Sequence, residues 1–581
     1  MTLISYVKKS RGPRNYSCDG TGEHVDDTER PGHPQPSAVV ENVGSRRQAN
    51  AARLGHGLSR TAGRRIGALG GMLLRDGAIY ILAKLVPCAL GFATTIGLTW
   101  VLSPDAYGVY GFGLTVVALG SNALFDWHAL SFMRWYQSRG HERRFMSTML
   151  TIFAIVCALS AAVAGLAMLT GALRGLGTEM WILTLGTWAY AWFEFTARIQ
   201  VANFRPVRYL IMNLVRNGLV LSSGLLTAYL FGAPELVLCG AFLSMVVAAS
   251  IYVTDGSIRF GRGFDPALAR MMIAYGAPIG VTTICSGLTM SANRLLLAAL
   301  ADMRSIAYLT AAAALVQTSI GMIGAGIGSA TYSIAVRATE SGDPAEVSRQ
   351  LKQNFVYLAG ILLPAAMGLT LVAPQLARVL LRPDYQAAVI ETTPWLAVTA
   401  VLVGIRAHYV DHAFQLGRRT WLLAQVMVTS AVVNLILNCL LIPTWSYLGA
   451  AVAMTIAVGI ALVHAAMLSR RVFPLPCPIQ EIVRIGLATL IMAIAIELMP
   501  IWPGIIGLAA RVDAGLMAYG ASAIALDLLG LRELLLGRPR RGSWFVRRRS
   551  RQLRQYPPGD VAFPDRRATD AMTLQPPTSA E

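Results

Sequence analysis

VLSPDAYGVYGFG, residues Val101–Gly113, closes one long apolar run and opens the next. ALADMRSIAYLTA, residues Ala299–Ala311, does the same later in the chain. Leu102 aligns with Leu300 and Tyr110 with Tyr308 without a gap. A second pair follows. NFRPVRYL (Asn203–Leu210) and QLGRRTWL (Gln415–Leu422) each place an arginine pair just before a new apolar run. Both pairs are about 200 residues apart, a lag of six runs, as an internal repeat would be. Six is even, so the two halves point the same way. The expected arrangement is a parallel pseudo-repeat about an axis along the membrane normal.

The runs themselves identify the solvent. Only 14% of the 581 residues are charged and 55% are hydrophobic, where a soluble domain carries about 25% charged residues. A run of 20–30 apolar residues crosses a hydrocarbon core of about 30 Å as a helix. Backbone groups in lipid must be satisfied internally, and these runs are too long and too evenly apolar for barrel strands. The sequence therefore predicts an all-α polytopic membrane protein. Its spans fall near 78–102, 107–131, 145–171, 180–197, 209–231, 236–254, 271–300, 306–336, 354–377, 387–410, 420–442, 446–469, 483–500 and 514–531. Grouped by the repeat, they give a six-helix N-lobe (78–254), a six-helix C-lobe (271–469) and two C-terminal helices (483–531). The second span reads as the weakest, because it holds Asp126 and His128.

Orientation follows from the loops. With the N-terminus inside, cytoplasmic loops hold eighteen basic residues, among them Arg134, Arg198, Arg349, Arg419 and Arg470. The opposite loops hold five: Arg174, Arg304, Arg378, Arg382 and Arg511. The asymmetry puts both termini in the cytoplasm and requires an even number of spans. Residues 1–53 and 532–581 read as disordered basic cytoplasmic tails, and 54–77 as an amphipathic entry segment lying on the membrane. They carry much of the net charge of +19. Basic tails beside a bilayer are expected to contact anionic lipid rather than nucleic acid. The first apolar run begins near Ala78, too late for a cleavable signal peptide. The seven cysteines show no metal-ligand spacing and read as small core residues. No Walker A loop, HExxH or GxSxG element is present, so neither an enzyme, a metal nor a cofactor is expected.

Charges within the spans are the site candidates, since each costs roughly 2.5–3.5 kcal/mol at the centre of a helix unless it faces water or a partner. The basic ones are Lys84, Arg216, Arg294 and Arg406, with His408 beside the last. Arg294 precedes Asp302 by eight residues, about 12 Å at 1.5 Å per residue. Among the acids, Asp126 and Glu194 lie deepest and are the candidates for ion coupling. Asp126 also has Arg134 within reach as a structural partner. Glu391, Glu497 and Asp527 sit near span ends. Trp181, Trp188, Trp192 and Trp395 are candidates for stacking on sugar rings or for the interfacial belt.

Several segments resemble one family. LSPDAYG (Leu102–Gly108) is similar to the tight extracytoplasmic turn of polysaccharide and O-antigen (Wzx-type) flippases of the multidrug/oligosaccharidyl-lipid/polysaccharide (MOP) exporter superfamily. YGAPIGVTTICSGLTMSANRLLLAAL (Tyr275–Leu300) resembles the opening of their second half. NLILNCLLIPTWSYLGAAVAMT (Asn434–Thr455) is similar to their eleventh-to-twelfth span turn, and RPDYQAA (Arg382–Ala388) to the loop before their tenth span. The resemblance covers about residues 60–531, and the long tails depart from it. It implies a MATE-like pair of lobes working by alternating access in a bacterial inner membrane. It also implies a polyprenyl-pyrophosphate-linked oligosaccharide as cargo, in exopolysaccharide, O-antigen or lipopolysaccharide synthesis. A polysaccharide polymerase and glycosyltransferases are the implied protein partners. A cavity lined by Lys84, Arg216, Arg294 and Arg406 would suit the pyrophosphate, which arginine binds bidentately. The alternatives are a cation-coupled multidrug exporter of the same superfamily, which would need acids where the first span offers Lys84, and a non-transport scaffold acting through its tails.

Overall fold

In a computed structural model, residues 85–139, 143–170, 177–252, 263–328, 331, 344–417, 419, 421–473 and 475–528 are described. Helices account for nearly all of them. They are α1 (Leu85–Val101), α2 (Pro104–Arg139), α3 (Arg143–Leu169), α4 (Gly177–Ala202), α5 (Pro206–Phe231), α6 (Pro234–Ser250) and α7 (Pro266–Leu300). Then come α8 (Met303–Gly328), α9 (Pro344–Leu380) and α10 (Pro383–Leu416). Trp421–Val472 breaks at Ser446 into α11 (421–445) and α12 (447–472), followed by α13 (Ile479–Leu498) and α14 (Gly504–Ala525). The expected tails, the entry segment and Lys84 lie outside the described residues.

Short polar signals set the helix ends. Pro206, Pro234, Pro266 and Pro383 stand in the first turns of their helices, where a missing N–H costs nothing. Asp265 caps α7 by accepting from Ala267 N–H and Leu268 N–H, and Asp302 caps α8 by accepting from Ser305 N–H at 2.7 Å. The α11–α12 break follows Pro443. Ser446 adopts φ 48°, and its Oγ lies 2.5 Å from Ser305 Oγ of α8. The turn is so tight that a Cβ on Gly449 would fall 2.3 Å from the Leu441 carbonyl oxygen.

The helices form two lobes and a C-terminal pair. α2 packs on α4 and α6 of the N-lobe and on α7 and α8 of the C-lobe. α10 packs on α8, α9 and the α11–α12 segment, while α13 and α14 pack on each other and on α9. Tyr519 Oη of α14 donates to the Gly360 carbonyl of α9 at 2.5 Å. One continuous core runs from Leu98 and Tyr107 through Ile306 to Tyr385 and Ala450. Buried amides bind the C-lobe: Asn434 and Asn438 of α11 both donate to Asn293 Oδ1 of α7, at 2.8 and 3.0 Å. Such hydrogen bonds between helices substitute for the hydrophobic drive that lipid lacks.

The repeat-related turns meet. Arg304 after the α7–α8 turn pairs with Asp105 after the α1–α2 turn at 2.7 Å. Gly108 lies so close to α8 that a Cβ there would fall 1.8 Å from the Met303 carbonyl oxygen. Equivalent turns touching at one end is the geometry expected of parallel repeats about a shared axis. Among the described residues, eight helices are long and apolar enough to cross a membrane by length and hydropathy alone, with Trp421–Val472 counted as one. α4 and α14 fall short on that measure because of polar and charged side chains, and α4 presents Tyr190 to the site. The second span is not the weakest element. Its expected span of 107–131 is part of a helix of 36 residues that runs on to Arg139 and packs on α4, α6, α7 and α8, which gives its polar residues company.

Candidate functional site

A cavity of about 730 Å³ lies between α1, α2, α5, α6, α7 and α8, so both lobes wall it. α1 contributes Thr94 and Thr95, α2 contributes Tyr107, Tyr110, Asn122 and Asp126, and α5 contributes Arg216 and Asn217. α7 contributes Thr283, Ser291 and Arg294 at successive helical turns, and α8 contributes Thr310. The lining thus mixes hydroxyls, amides, tyrosines and charges with apolar side chains such as Leu98, Leu114, Val220 and Met245.

Two cations face this space without a counter-charge. Arg294 makes no ion pair among the described residues, and its buried Nε lacks a hydrogen-bond partner. Arg216 likewise makes no ion pair among them and stacks over the Phe193 ring at 4.7 Å. The carboxylate in the chamber is not available to either, because Asp126 is hydrogen-bonded to Arg198 Nη2 of α4. A side pocket of about 100 Å³ continues from Asp126 and Tyr190 to Glu194 and Arg198. Glu194 makes no ion pair among the described residues.

The tight-turn end of the chamber is shut. Tyr107 stacks with Tyr110 at 5.9 Å and meets Tyr385 edge-on at 6.1 Å. Tyr385 Oη donates to the Leu102 carbonyl at 3.3 Å, and Trp100 Nε1 donates to the Leu380 carbonyl at 2.7 Å. Both bonds cross between the lobes.

The structure gathers Arg216, Arg294 and Asp126 around one chamber and places Glu194 in the side pocket that adjoins it at Asp126. It does not bring Arg406 there. Arg406 is buried in the C-lobe and bonds Asp411 Oδ2 at 3.3 Å, because a π-turn at Arg406–Val410 rotates it into the lobe interior. Asp126 takes Arg198 rather than Arg134. None of the four candidate tryptophans lines the chamber: Trp188 donates to Ser160 Oγ, Trp192 packs on Phe153, and Trp181 and Trp395 are exposed. Sequence reasoning placed Arg198 in a loop and missed Tyr107 and Tyr110. The two tyrosines were visible in the repeated turn motif; Arg198 had no signal beyond its four-residue spacing from Glu194.

Fold and chamber together define the class: a two-lobed, multi-pass membrane transporter of the MOP exporter type. Residues 98–390 match the family of polysaccharide biosynthesis proteins, and residues 274–509 match the family of the lipid II flippase MurJ. This chain belongs to the polysaccharide biosynthesis protein family of that superfamily. Among solved structures it is similar to a lipid II flippase MurJ in an inward closed conformation. The TM-score is 0.66 at 15% identity, over 79% of this chain and 100% of that one. It is also similar to an inward-facing multidrug resistance MATE family transporter of the MOP superfamily. There the TM-score is 0.53 at 16% identity, over 68% of this chain and 97% of that one. At such identity these likenesses speak for the fold. No curated protein matches the sequence.

Proposed function

We propose that the protein is a flippase, not an enzyme, that moves a lipid-linked oligosaccharide or polysaccharide precursor across the bacterial inner membrane by alternating access. The observation that carries this reading is the pair Arg216 and Arg294, facing a shared polar chamber while its carboxylate is committed to Arg198. A polyprenyl pyrophosphate presents the complementary charge. Charged hydrogen bonds from arginine to phosphate are among the strongest available, and a cavity out of bulk water weakens them least. Threonine, serine and asparagine side chains around the arginines suit sugar hydroxyls. A volume of about 730 Å³ is that of a small-molecule site, so the cargo is a head group with its first sugars and not a finished polymer. The isoprenoid remains in lipid.

The multidrug alternative is less well served. The carboxylate lining the chamber itself, Asp126, is paired with Arg198, and Glu194 lies beyond it in the side pocket, so a cationic drug would meet two arginines first. The closed tight-turn end is taken as extracytoplasmic, in keeping with the arginine count, so both termini lie in the cytoplasm beside anionic lipid. The polymerase and glycosyltransferases of the same pathway are the partners expected there. Glu194 in its side pocket, with Asp126, is the candidate for ion coupling at the chamber. The test uses proteoliposomes carrying a fluorescent polyprenyl-pyrophosphate oligosaccharide and a reductant that quenches only outer-leaflet label. Protein-dependent quenching of the inner pool is expected, with loss in Arg294→Ala. Equal rates with and without protein would remove the reading.

A further inference from the structure

The π-turn of α10 gathers a second set of ionisable groups, far from the chamber. Arg406 and Asp411 are 8% and 5% exposed and His412 is 4% exposed, with His408 half-buried beside them. π-turns of this kind recur at functional sites, because they insert an extra residue and re-aim side chains. The pair they form here is poorly satisfied. Arg406 Nη1 reaches Asp411 Oδ2 at 3.3 Å in a single contact and touches Met427 Sδ at 3.6 Å, instead of forming two parallel bonds. Asp411 Oδ1 is buried with no hydrogen-bond partner. A buried anion with one naked oxygen is expensive, and a proton on that oxygen removes the charge.

The pair also sits where protons can arrive and motion can leave. Arg406 lies 23 residues into α10, about 35 Å from Pro383 at 1.5 Å per residue, which is the far edge of the hydrocarbon core. By the arginine count that edge is cytoplasmic. His408 lies against bare glycines of α8: a Cβ on Gly328 would fall 2.3 Å from its Nδ1. α8 runs from there past the chamber, through Thr310, to Met303 at the closed turn. Tyr409 of the same turn donates to the Pro476 carbonyl at 2.5 Å and packs on Phe355 of α9.

We propose that Arg406 and Asp411 form a proton-binding latch in the C-lobe. Asp411 takes up a proton on Oδ1 from the cytoplasmic side and becomes neutral. The pair opens, and Arg406 carries its charge the short way to the aqueous interface, where long side chains extend readily. The turn then repacks against α8, and the change reaches the seal at Gly108–Met303. The titratable groups around the turn are His408 beside Arg406, His412 beside His408, and Tyr409 with Cys477 of the link to α13; α8 presents glycines and α11 Met427. For its use in transport the latch rests on the flippase reading; its existence does not.

The test therefore needs no saccharide. Spin labels at Leu236 on α6 and Asp384 on α10, both exposed and one on each lobe, report the width of the sealed end by pulsed electron resonance. The whole protein is measured in nanodiscs in mildly acidic and mildly alkaline buffer. Wild type is expected to shift its distance distribution between the two. Asp411→Asn holds the acidic distribution at both, Asp411→Glu restores the shift, and His408→Gln and His412→Gln retain it. A wild type that does not shift, an Asp411→Asn variant that shifts as wild type does, or a shift abolished by a histidine variant instead, overturns the latch. None of these outcomes bears on whether Arg294 carries a pyrophosphate.

Discussion

In the proposed flippase, Arg294 is the residue on which cargo binding turns. Its cost in the membrane is met by the chamber and not by a protein carboxylate, so its hydrogen-bonding capacity is held for a ligand. A charged hydrogen bond contributes about 1.5–3 kcal/mol, which converts to roughly ten- to a hundredfold in affinity. Arg294→Ala is predicted to weaken binding of the pyrophosphate lipid by about that factor in microscale thermophoresis, with unchanged membrane insertion. Arg294→Lys keeps the charge but loses the planar fork and should fall between the two. Arg198→Ala is expected to act differently. It frees Asp126 to compensate Arg216 or Arg294 and so lowers affinity without removing a residue that reaches the cargo.

At the scale of the element, two contacts hold the helices where the chamber needs them. Gly108 lets α2 cross over the Met303 carbonyl, a backbone atom that cannot retreat. Gly108→Ala is predicted to pry open the sealed end. On a background lacking the native cysteines, a reporter Tyr110→Cys would then react faster with an impermeant thiol reagent added from outside, and an unchanged rate would refute the seal. The Asn293–Asn434–Asn438 cluster ties α7 to α11. Asn438→Leu removes its donors to Asn293 Oδ1 and Asn434 Oδ1. Interhelical hydrogen bonds in membranes contribute about 0.6–1.7 kcal/mol, so a lower melting temperature in detergent, with transport retained, is the expected result.

For the whole molecule, transport belongs to the lobes. A chain lacking residues 1–50 and 540–581 is predicted to flip its cargo at the wild-type rate in proteoliposomes, whereas a scaffold acting through its tails would lose its function. How much of this was legible beforehand depends on range. The spans, the repeat and the even count could be read from Val101–Gly113 and its partner, because burial of the backbone in lipid demands long apolar runs whatever their neighbours are. The second and ninth spans were drawn short, at 107–131 and 354–377 against Pro104–Arg139 and Pro344–Leu380. Their polar ends continue as helix against other helices.

Sequence by itself determined that this chain spans a membrane about fourteen times, in two like-oriented halves, with arginines inside its spans. Those are properties of single segments and of their lag. Only the tertiary structure decided which charges share a chamber and which are spent elsewhere. Arg216 and Arg294 lie 78 residues apart and line one chamber, while Arg406 is turned away by one π-turn and bound to Asp411 five residues on. Hydropathy is summed along a helix, but the partner of a buried charge is chosen by helix rotation and by the packing of helices distant in the chain.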